Sequence, residues 1–358
     1  MAKKYKMMII TDYAAPYEGN FIESLKKLNE KIVEQKNDVI YFFSPKAKDK
    51  NCVKGLQNLG YKVYFGSENA VVNIKLMKKV IKQEGISVLY THFCSLKNQV
   101  QIKLIKMLNP KIKLICHFHN HYNAEGKFPR KQLAYISYNG DLNIGCSESV
   151  MDSIPYTKKK KVYVDNCIFF ERLDKYRDIK IDETGKKFVI LMFGFDYYRK
   201  GVDIAIKAIK DLDINDNIVL AISLSKNKEK NEKIICEEFG YIPKFVKFLD
   251  PIDDIATYYK NSNIFLSAAR EEGFCYSIPE AAYCKKKIVS TIIPGVVKNI
   301  PGEVLFEKEN YVELSKIIKQ LYYDNTTKKE EQAKKFVENN FSIDKWVNGV
   351  IENIEKTV

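Results

Sequence analysis

The sequence predicts an α/β protein of two doubly wound parallel-sheet domains, and three observations predict it. Short β-rich runs alternate with amphipathic segments from the N-terminus onward, the pattern of parallel strands joined by crossover helices. That pattern breaks over a polar, charge-rich stretch containing Asp182-Glu183-Thr184-Gly185 and restarts at Phe188. A chain of 358 residues, 46% of them hydrophobic, is long enough to bury two such cores.

In the first half, strands are predicted over residues 7–10, 39–43, 62–65, 88–90, 112–118 and 143–146, with helices between them. In the second half they fall at 188–193, 218–223, 245–249, 264–266 and 288–290. Residues 311–322 and 328–339 read as late helices. Trp346, Val347, Val350, Ile351 and Ile354 recur at the spacing of one apolar helix face, which places a final helix at the C-terminus. The implied division is a first domain over 1–170, a linker over 171–187, a second domain over 188–341 and a closing segment over 342–358.

Eight cysteines are scattered with no C-x-x-C pair, so neither a zinc knuckle nor a disulfide framework is indicated and a reducing cytoplasm is expected. Met7-Met8-Ile9-Ile10 is too short for the apolar region of a signal peptide, and no stretch approaches the length of a membrane span. The net charge of +14 is unevenly placed. Residues 1–170 hold 28 Lys and Arg against 14 Asp and Glu, whereas residues 171–358 hold 31 of each. Lysines 75, 78, 79 and 82, then 103 and 106, recur at helical spacing, and residues 158–161 are all lysine. Such a field favours an anionic partner: a lipid surface, a pyrophosphate-linked acceptor or nucleic acid.

The most informative segment is Arg270-Glu271-Glu272-Gly273-Phe274-Cys275-Tyr276-Ser277-Ile278-Pro279-Glu280-Ala281-Ala282. It follows the apolar run Ile264-Phe265-Leu266 and enters a helix in which Pro279 suits the first position and Glu280 the first turn. Open α/β sheets bind ligands where a loop leaves a strand's C-terminal end. Amide groups there attract phosphate, and a carboxylate accepts hydrogen bonds from both hydroxyls of a ribose. Glu272 and Glu280, eight residues apart, resemble the Glu-x7-Glu signature of retaining glycosyltransferases of the GT-B fold, the group 1 glycosyl transferases. Glu271 is out of phase with it. Cys275 stands where that family commonly has Gly.

Gly194-Phe195-Asp196-Tyr197-Tyr198-Arg199-Lys200-Gly201-Val202-Asp203 follows the strand at 188–193 and places two cations where a helix begins. That opposes the helix dipole unless an anion is brought to the site. The segment resembles the family element whose Arg and Lys hold the donor diphosphate. Lys200 matches the Lys, Phe195 occupies the usual Arg position, and Arg199 stands close enough to supply the missing charge.

The four histidines, 92, 117, 119 and 121, all lie at or just beyond the ends of two consecutive predicted strands. Positions 117, 119 and 121 alternate and share a face if the strand persists. Three readings are open. His119-Asn120 resembles the family's His-Asn or His-Asp aimed at the reacting sugar. A His-x-His metal site is compatible with a strand, although no carboxylate or Cys cluster completes it. The third reading is a set of satisfied core histidines.

The loop from Thr11 to Phe21 usually carries two adjacent glycines in the family, and here only Gly19 is present. No G-x-G-x-x-G fingerprint occurs, which disfavours a dinucleotide-dependent dehydrogenase. Asp211-Leu212-Asp213 matches a metal-binding Asp-x-Asp in form but follows a helix, so it reads as a solvated loop. Ser147-Glu148, Asn166 and Pro294-Gly295-Val296 extend the resemblance over nearly the whole chain.

The resemblance implies a GT-B fold of two Rossmann-like domains with a cleft between them and a C-terminal helix crossing back to the first. It implies a retaining, metal-independent glycosyltransferase of the hexosyltransferase class that needs no cofactor. The donor is a nucleotide sugar, a UDP-sugar favoured, and the acceptor a hydroxyl of a cell-envelope or surface polysaccharide, glycan or lipid-linked. His119, Glu272 and Lys200 are the catalytic residues implied. Gly19, Arg199, Lys200, Gly273, Phe274, Cys275, Tyr276, Ser277 and Glu280 are those implied for the donor. With that function the basic first domain is expected to face an anionic membrane surface on the cytoplasmic side, with no nucleic-acid partner. The rival readings are a nucleotide-sugar epimerase of the same fold and a non-catalytic glycosyltransferase-like partner subunit.

Overall fold

The computed structural model describes residues 4–121, 137–154, 160–224, 228–295, 299–324 and 329–358. The chain divides into two compact units: unit 1 is Met1–Phe169 with Ile343–Val358, and unit 2 is Phe170–Ser342.

Unit 1 is built on seven parallel strands: β1 (Lys6–Thr11), β2 (Asp38–Phe43), β3 (Val63–Phe65), β4 (Val88–His92), β5 (Lys113–Phe118), β6 (Leu142–Gly145) and β7 (Lys160–Tyr163), in the order β3-β2-β1-β4-β5-β6-β7. Its helices are α1 (Gly19–Glu34), α2 (Asn51–Asn58), α3 (Ala70–Glu84), α4 (Leu96–Leu108) and α5 (Glu148–Ser153), together with the C-terminal helix Ile343–Glu355. Successive strand residues point to opposite faces, and both faces are covered, so the strands are apolar throughout. Met7, Ile9, Tyr41, Phe43, Tyr90 and Ile115 enter one core with Leu25, Leu28, Trp346 and Val350. Met8, Ile10, Phe42, Leu89 and Leu114 enter the other with Met77, Val80, Ile102 and Ile105. Asn69 caps α3 by accepting from the Val71 and Val72 amides, and Gly85, at φ +67°, ends it in the left-handed conformation.

Unit 2 repeats the plan with six parallel strands: β8 (Phe188–Phe193), β9 (Ile218–Ser223), β10 (Val246–Leu249), β11 (Ile264–Ser267), β12 (Lys287–Thr291) and β13 (Val304–Phe306), ordered β10-β9-β8-β11-β12-β13. Its helices are α6 (Val202–Lys210), α7 (Lys228–Phe239), α8 (Ala256–Lys260), α9 (Ser277–Tyr283), α10 (Tyr311–Tyr323) and α11 (Glu330–Asn340). The C-terminal helix, α12, follows. In each sheet the strand order reverses beside the first strand, at β1/β4 and at β8/β11, and ligands of open α/β sheets bind at such a point.

Three sequence expectations change. β7 and β13 were not foreseen; both are short strands at a sheet edge, and β7 opens on Lys160-Lys161, the charged chemistry that edges carry. Residues 171–187, expected to be a linker, belong to unit 2: Arg177 is held bidentately by Asp254 at 2.7 and 3.1 Å, and the Ile179 amide donates to Asn261 Oδ1 at 3.2 Å. Helix α9 begins at Ser277, two residues before Pro279. Proline is tolerated there because first-turn amides have no acceptor within the helix. Of the expected features, Lys158 and Lys159, Val296 and Lys328 lie outside the described residues.

Candidate functional site

At the β8/β11 reversal, two loops come together in unit 2. The loop after β8 turns tightly through Tyr197-Tyr198-Arg199-Lys200 to Gly201, whose φ of +68° opens α6. A Cβ on Gly201 would lie 1.9 Å from the Ala268 carbonyl oxygen at the end of β11, so only glycine allows this approach. Gly295, at φ +82°, is equally confined, with a Cβ falling 1.8 Å from the Glu272 carbonyl oxygen.

Arg270 staples the two loops. Its amide donates to the Arg199 carbonyl at 2.8 Å and its guanidinium to the Tyr198 carbonyl. The same guanidinium grips Asp203 bidentately at 2.8 and 2.7 Å and reaches Glu309 at 2.8 Å. These carboxylates, Asp203 first, hold the Arg270 pKa above its ordinary value. An arginine fork suits this task because its donors lie in one rigid plane.

The staple brings Lys200 and Arg199 to Glu272. Lys200 Nζ pairs directly with Glu272 Oε1, and Arg199 Nη1 lies 3.7 Å from the same oxygen. Arg199 also donates to Asp196 Oδ2 at 3.2 Å and the Glu271 carbonyl at 3.4 Å. Both cations sit over the Phe195 ring, Lys200 Nζ at 4.7 Å and Arg199 Cζ at 5.2 Å from its centroid. Arg199 therefore reaches the point that Lys200 reaches, while the residue in the usual Arg position serves as an aromatic platform for both.

Beyond Glu272 the loop runs through Gly273, Phe274, Cys275 and Tyr276 into α9. Phe274 packs in the interior against Phe341 at 5.6 Å, and the Cys275 thiol lies 3.2 Å from Ser277 Oγ and 3.7 Å from Ser267 Oγ. Burial pushes that thiol's pKa up, so Cys275 is a packed, neutral group. Glu280, buried on α9, pairs with Arg172 through Oε1 and accepts from the Tyr259 hydroxyl through Oε2 at 3.0 Å. Sequence reasoning missed Arg172, which lay in the expected linker, and Tyr259, one of 23 tyrosines without a distinguishing context. Arg270 was in plain view in the motif, but its partners Asp203 and Glu309 are 67 and 39 residues away.

In unit 1, Gly19 opens α1 at φ +63°, following the loop after β1. The histidines form a stack that the sequence only partly implied. His117 and His119 lie 4.6 Å apart at 13°, His92 is 4.9 Å from His117, and Phe93 covers His119 at 4.0 Å and 13°. Trp346 of α12 stacks on His117 at 6.1 Å. His119 is 7% exposed, and His121 stands apart, 3.2 Å from Ser149 Oγ. Ring nitrogens of His92, His117 and His119 lie within 4.8 Å of one another, so His92 supplies a third imidazole to the His-x-His pair. The His117 and His119 rings are near-parallel at 13°, whereas His92 is inclined to them by 36° and 29°. Tyr90 Oη meets His117 Nδ1 at 2.7 Å, and His92 Nδ1 meets His119 Nε2 at 3.0 Å.

A pocket of about 230 Å³ lies at the C-terminal ends of β1, β2 and β3, lined by Asp12, Ser44, Lys46, Glu68 and Asn73 over a floor that includes Phe42 and Met77. On the surface of α3, Lys75, Lys78, Lys79 and Lys82 are exposed. Lys103 and Lys106 of α4 are instead turned to the Asn139 carbonyl and to Asp141. Leu104, Met107 and Leu108 occupy the solvent side of α4, the last two 64% and 67% exposed. Asp213 of the Asp-x-Asp is a surface group paired with Lys319 at 2.8 Å. Among the described residues no helix is long and apolar enough to cross a membrane.

Residues 175–342, nearly all of unit 2, match the family model for Glycosyl transferases group 1. A protein of Methanocaldococcus jannaschii named as an uncharacterized glycosyltransferase is 24% identical over 351 residues, 94% of each chain. Among solved structures, a Rickettsia africae glycosyltransferase superposes with a TM-score of 0.78 at 19% identity, covering 99% of this chain and 98% of that one. Anabaena HepE in complex with UDP does so with a TM-score of 0.76 at 15% identity, covering 98% and 100%. The two units are Rossmann-like domains of the kind found in these GT-B glycosyltransferases, and the enzyme class named by the family match and the relatives is the one expected from the sequence.

The histidine stack should make unit 1 acid-sensitive. Burial lowers the pKa of His92 and His117 well below 6.5 and that of His119 from 6.5 to about 3. Between those values the unfolded chain binds protons that the folded chain refuses, so this stability is complete above about pH 7 and is lost as pH falls toward 3. His119 alone should cost about 2 kcal/mol at pH 5. Thermal melts between pH 7.5 and 5 should show a falling midpoint, and a flat midpoint would refute the neutral stack.

Proposed function

We propose that this chain is a retaining, metal-independent GT-B glycosyltransferase that moves a sugar from a UDP-sugar to a hydroxyl of a cell-envelope or surface-glycan acceptor, working in the cytoplasm at an anionic membrane face. The observation that carries this reading is the convergence of Lys200 and Arg199 on Glu272 at the β8/β11 reversal, with Glu280 buried on the helix that follows. In this reading Glu280 accepts from the ribose hydroxyls, Lys200 and Arg199 hold the diphosphate, and Glu272 contacts the donor sugar. Crystal complexes of HepE with UDP and UDP-glucose support the choice of donor.

The bond that breaks joins the anomeric carbon to the phosphate oxygen, and its electron pair stays on the leaving diphosphate. Preplaced cations stabilise that charge without rearrangement. The acceptor oxygen bonds to the anomeric carbon on the face the phosphate leaves, and its proton passes to the departing phosphate. The mixed polar and apolar pocket of unit 1 suits a hydroxyl-rich acceptor.

Replacing Glu280 by Ala should weaken UDP binding by about 1.5–3 kcal/mol, the range for charge-assisted hydrogen bonds. Calorimetry giving an unchanged affinity would remove Glu280 from the ribose site. Because two cations already face the leaving phosphate, transfer should persist after exhaustive chelation. Activity lost in EDTA and restored by manganese would replace this mechanism with a metal-dependent one. With four exposed lysines on α3, the protein should bind vesicles containing anionic lipid and release them as salt rises. Equal binding to neutral vesicles, or none to either, would remove the membrane from the proposal.

A further inference from the structure

We propose that Arg172 is a positioning residue for the donor site, setting the carboxylate of Glu280 in the orientation that receives a ribose diol. This rests on the ribose reading of Glu280 and assigns the opening segment of unit 2 a role in it. Phe170–Leu173 form a single 3-10 turn that straps α9. Phe170 stacks on Tyr283 at 4.6 Å and 20°, and the Tyr283 hydroxyl donates to Asp174 Oδ1 at 2.8 Å. Between these contacts Arg172 Nη2 meets Glu280 Oε1, one helical turn from Tyr283 on the same side of α9. Across the carboxylate, the Tyr259 hydroxyl of α8 meets Oε2 at 3.0 Å and the Ser277 carbonyl at 3.1 Å.

A carboxylate gripped at both oxygens, from two different elements, does not spin about its last bond. The edge it turns toward a ligand is therefore set before the ligand arrives. The Glu280 side chain is 5% exposed, and a carboxylate buried to that extent needs a partner to replace its lost water. Arg172 thus both orients Glu280 and compensates its charge. The bland alternative, that the pair merely staples the strap to α9, predicts a uniform loss of binding whatever the nucleotide carries at its ribose.

The experiment compares UDP with 2′,3′-dideoxy-UDP by titration calorimetry on the full chain, as wild type, Arg172→Met, Arg172→Lys and Tyr259→Phe. The wild type should prefer UDP by at least about tenfold, since the dideoxy ligand lacks both hydroxyls that donate to Glu280. Arg172→Met should bring the two ligands within about twofold while leaving the dideoxy affinity unchanged, and Arg172→Lys, which keeps the charge but not the planar fork, should fall between. Tyr259→Phe should narrow the preference less, since it removes a neutral donor. If Arg172→Met does not fold, the Lys variant carries the same comparison. A preference kept at the wild-type level in Arg172→Lys and Arg172→Met overturns the positioning role and leaves the ribose reading intact. A parallel loss for both ligands overturns it in favour of the staple. A wild type that binds both ligands equally, or binds neither, overturns the ribose reading and this proposal with it.

Discussion

The proposed donor site depends on one constraint, the close approach of the loops that leave β8 and β11. Gly201 lies against the Ala268 carbonyl and Gly295 against the Glu272 carbonyl, so no side chain fits at either position. Arg270 then fixes the register by gripping Asp203 at the start of α6 and the Tyr198 carbonyl in the facing loop. The functional groups follow from this frame. Lys200 and Glu272 are 72 residues apart in sequence and meet only because the two loops are held at contact distance.

The ion pairs of this region serve preorganisation rather than stability. Exchanging water for a partner in a poorly solvated site roughly cancels in free energy, and a buried pair is weak evidence of a stabilising one. What the pairing fixes is geometry. Two cations share an aromatic platform in Phe195 and point at one carboxylate oxygen, so a ligand diphosphate entering there meets charge already in place. On the proposed reading, Arg199 beside Lys200 supplies the positive charge that the resemblance places at position 195.

Most of the fold was legible because strands buried on both faces write continuous apolar runs. Phe188–Phe193 and Ile218–Ser223 were bounded to the residue by such runs. β7 and β13 escaped because edge strands bury less and tolerate Lys-Lys or a three-residue length. Glu272, Lys200 and Glu280 stand in local motifs that a sequence displays, and the fold brings Lys200 and Glu272 into contact. Arg172, Tyr259 and Asp203 were not legible, since their roles come from contacts tens of residues away that no local pattern encodes. The polar stretch at 171–187 misled for a specific reason: Arg172 and Arg177 pair with Glu280 and Asp254 of unit 2, and a sequence reads paired and solvated charges alike.

The two units put opposite chemistry on display, and the contrast bears on who moves the proton. Unit 2 gathers full charges. Unit 1 ends its central strands in imidazoles that burial keeps neutral, His119 with a pKa of about 3. A base that weak is a poor acceptor for an alcohol proton near neutral pH, because general-base efficiency falls as the catalytic pKa drops far below the working pH. His119 is therefore a neutral hydrogen-bonding group near neutral pH rather than a base. On the proposed mechanism the proton of the incoming hydroxyl passes instead to the departing phosphate, whose charge Lys200 and Arg199 stabilise. On that mechanism the acceptor attacks from the face that the phosphate leaves, so one group both departs and takes the proton, and the product keeps the donor's configuration.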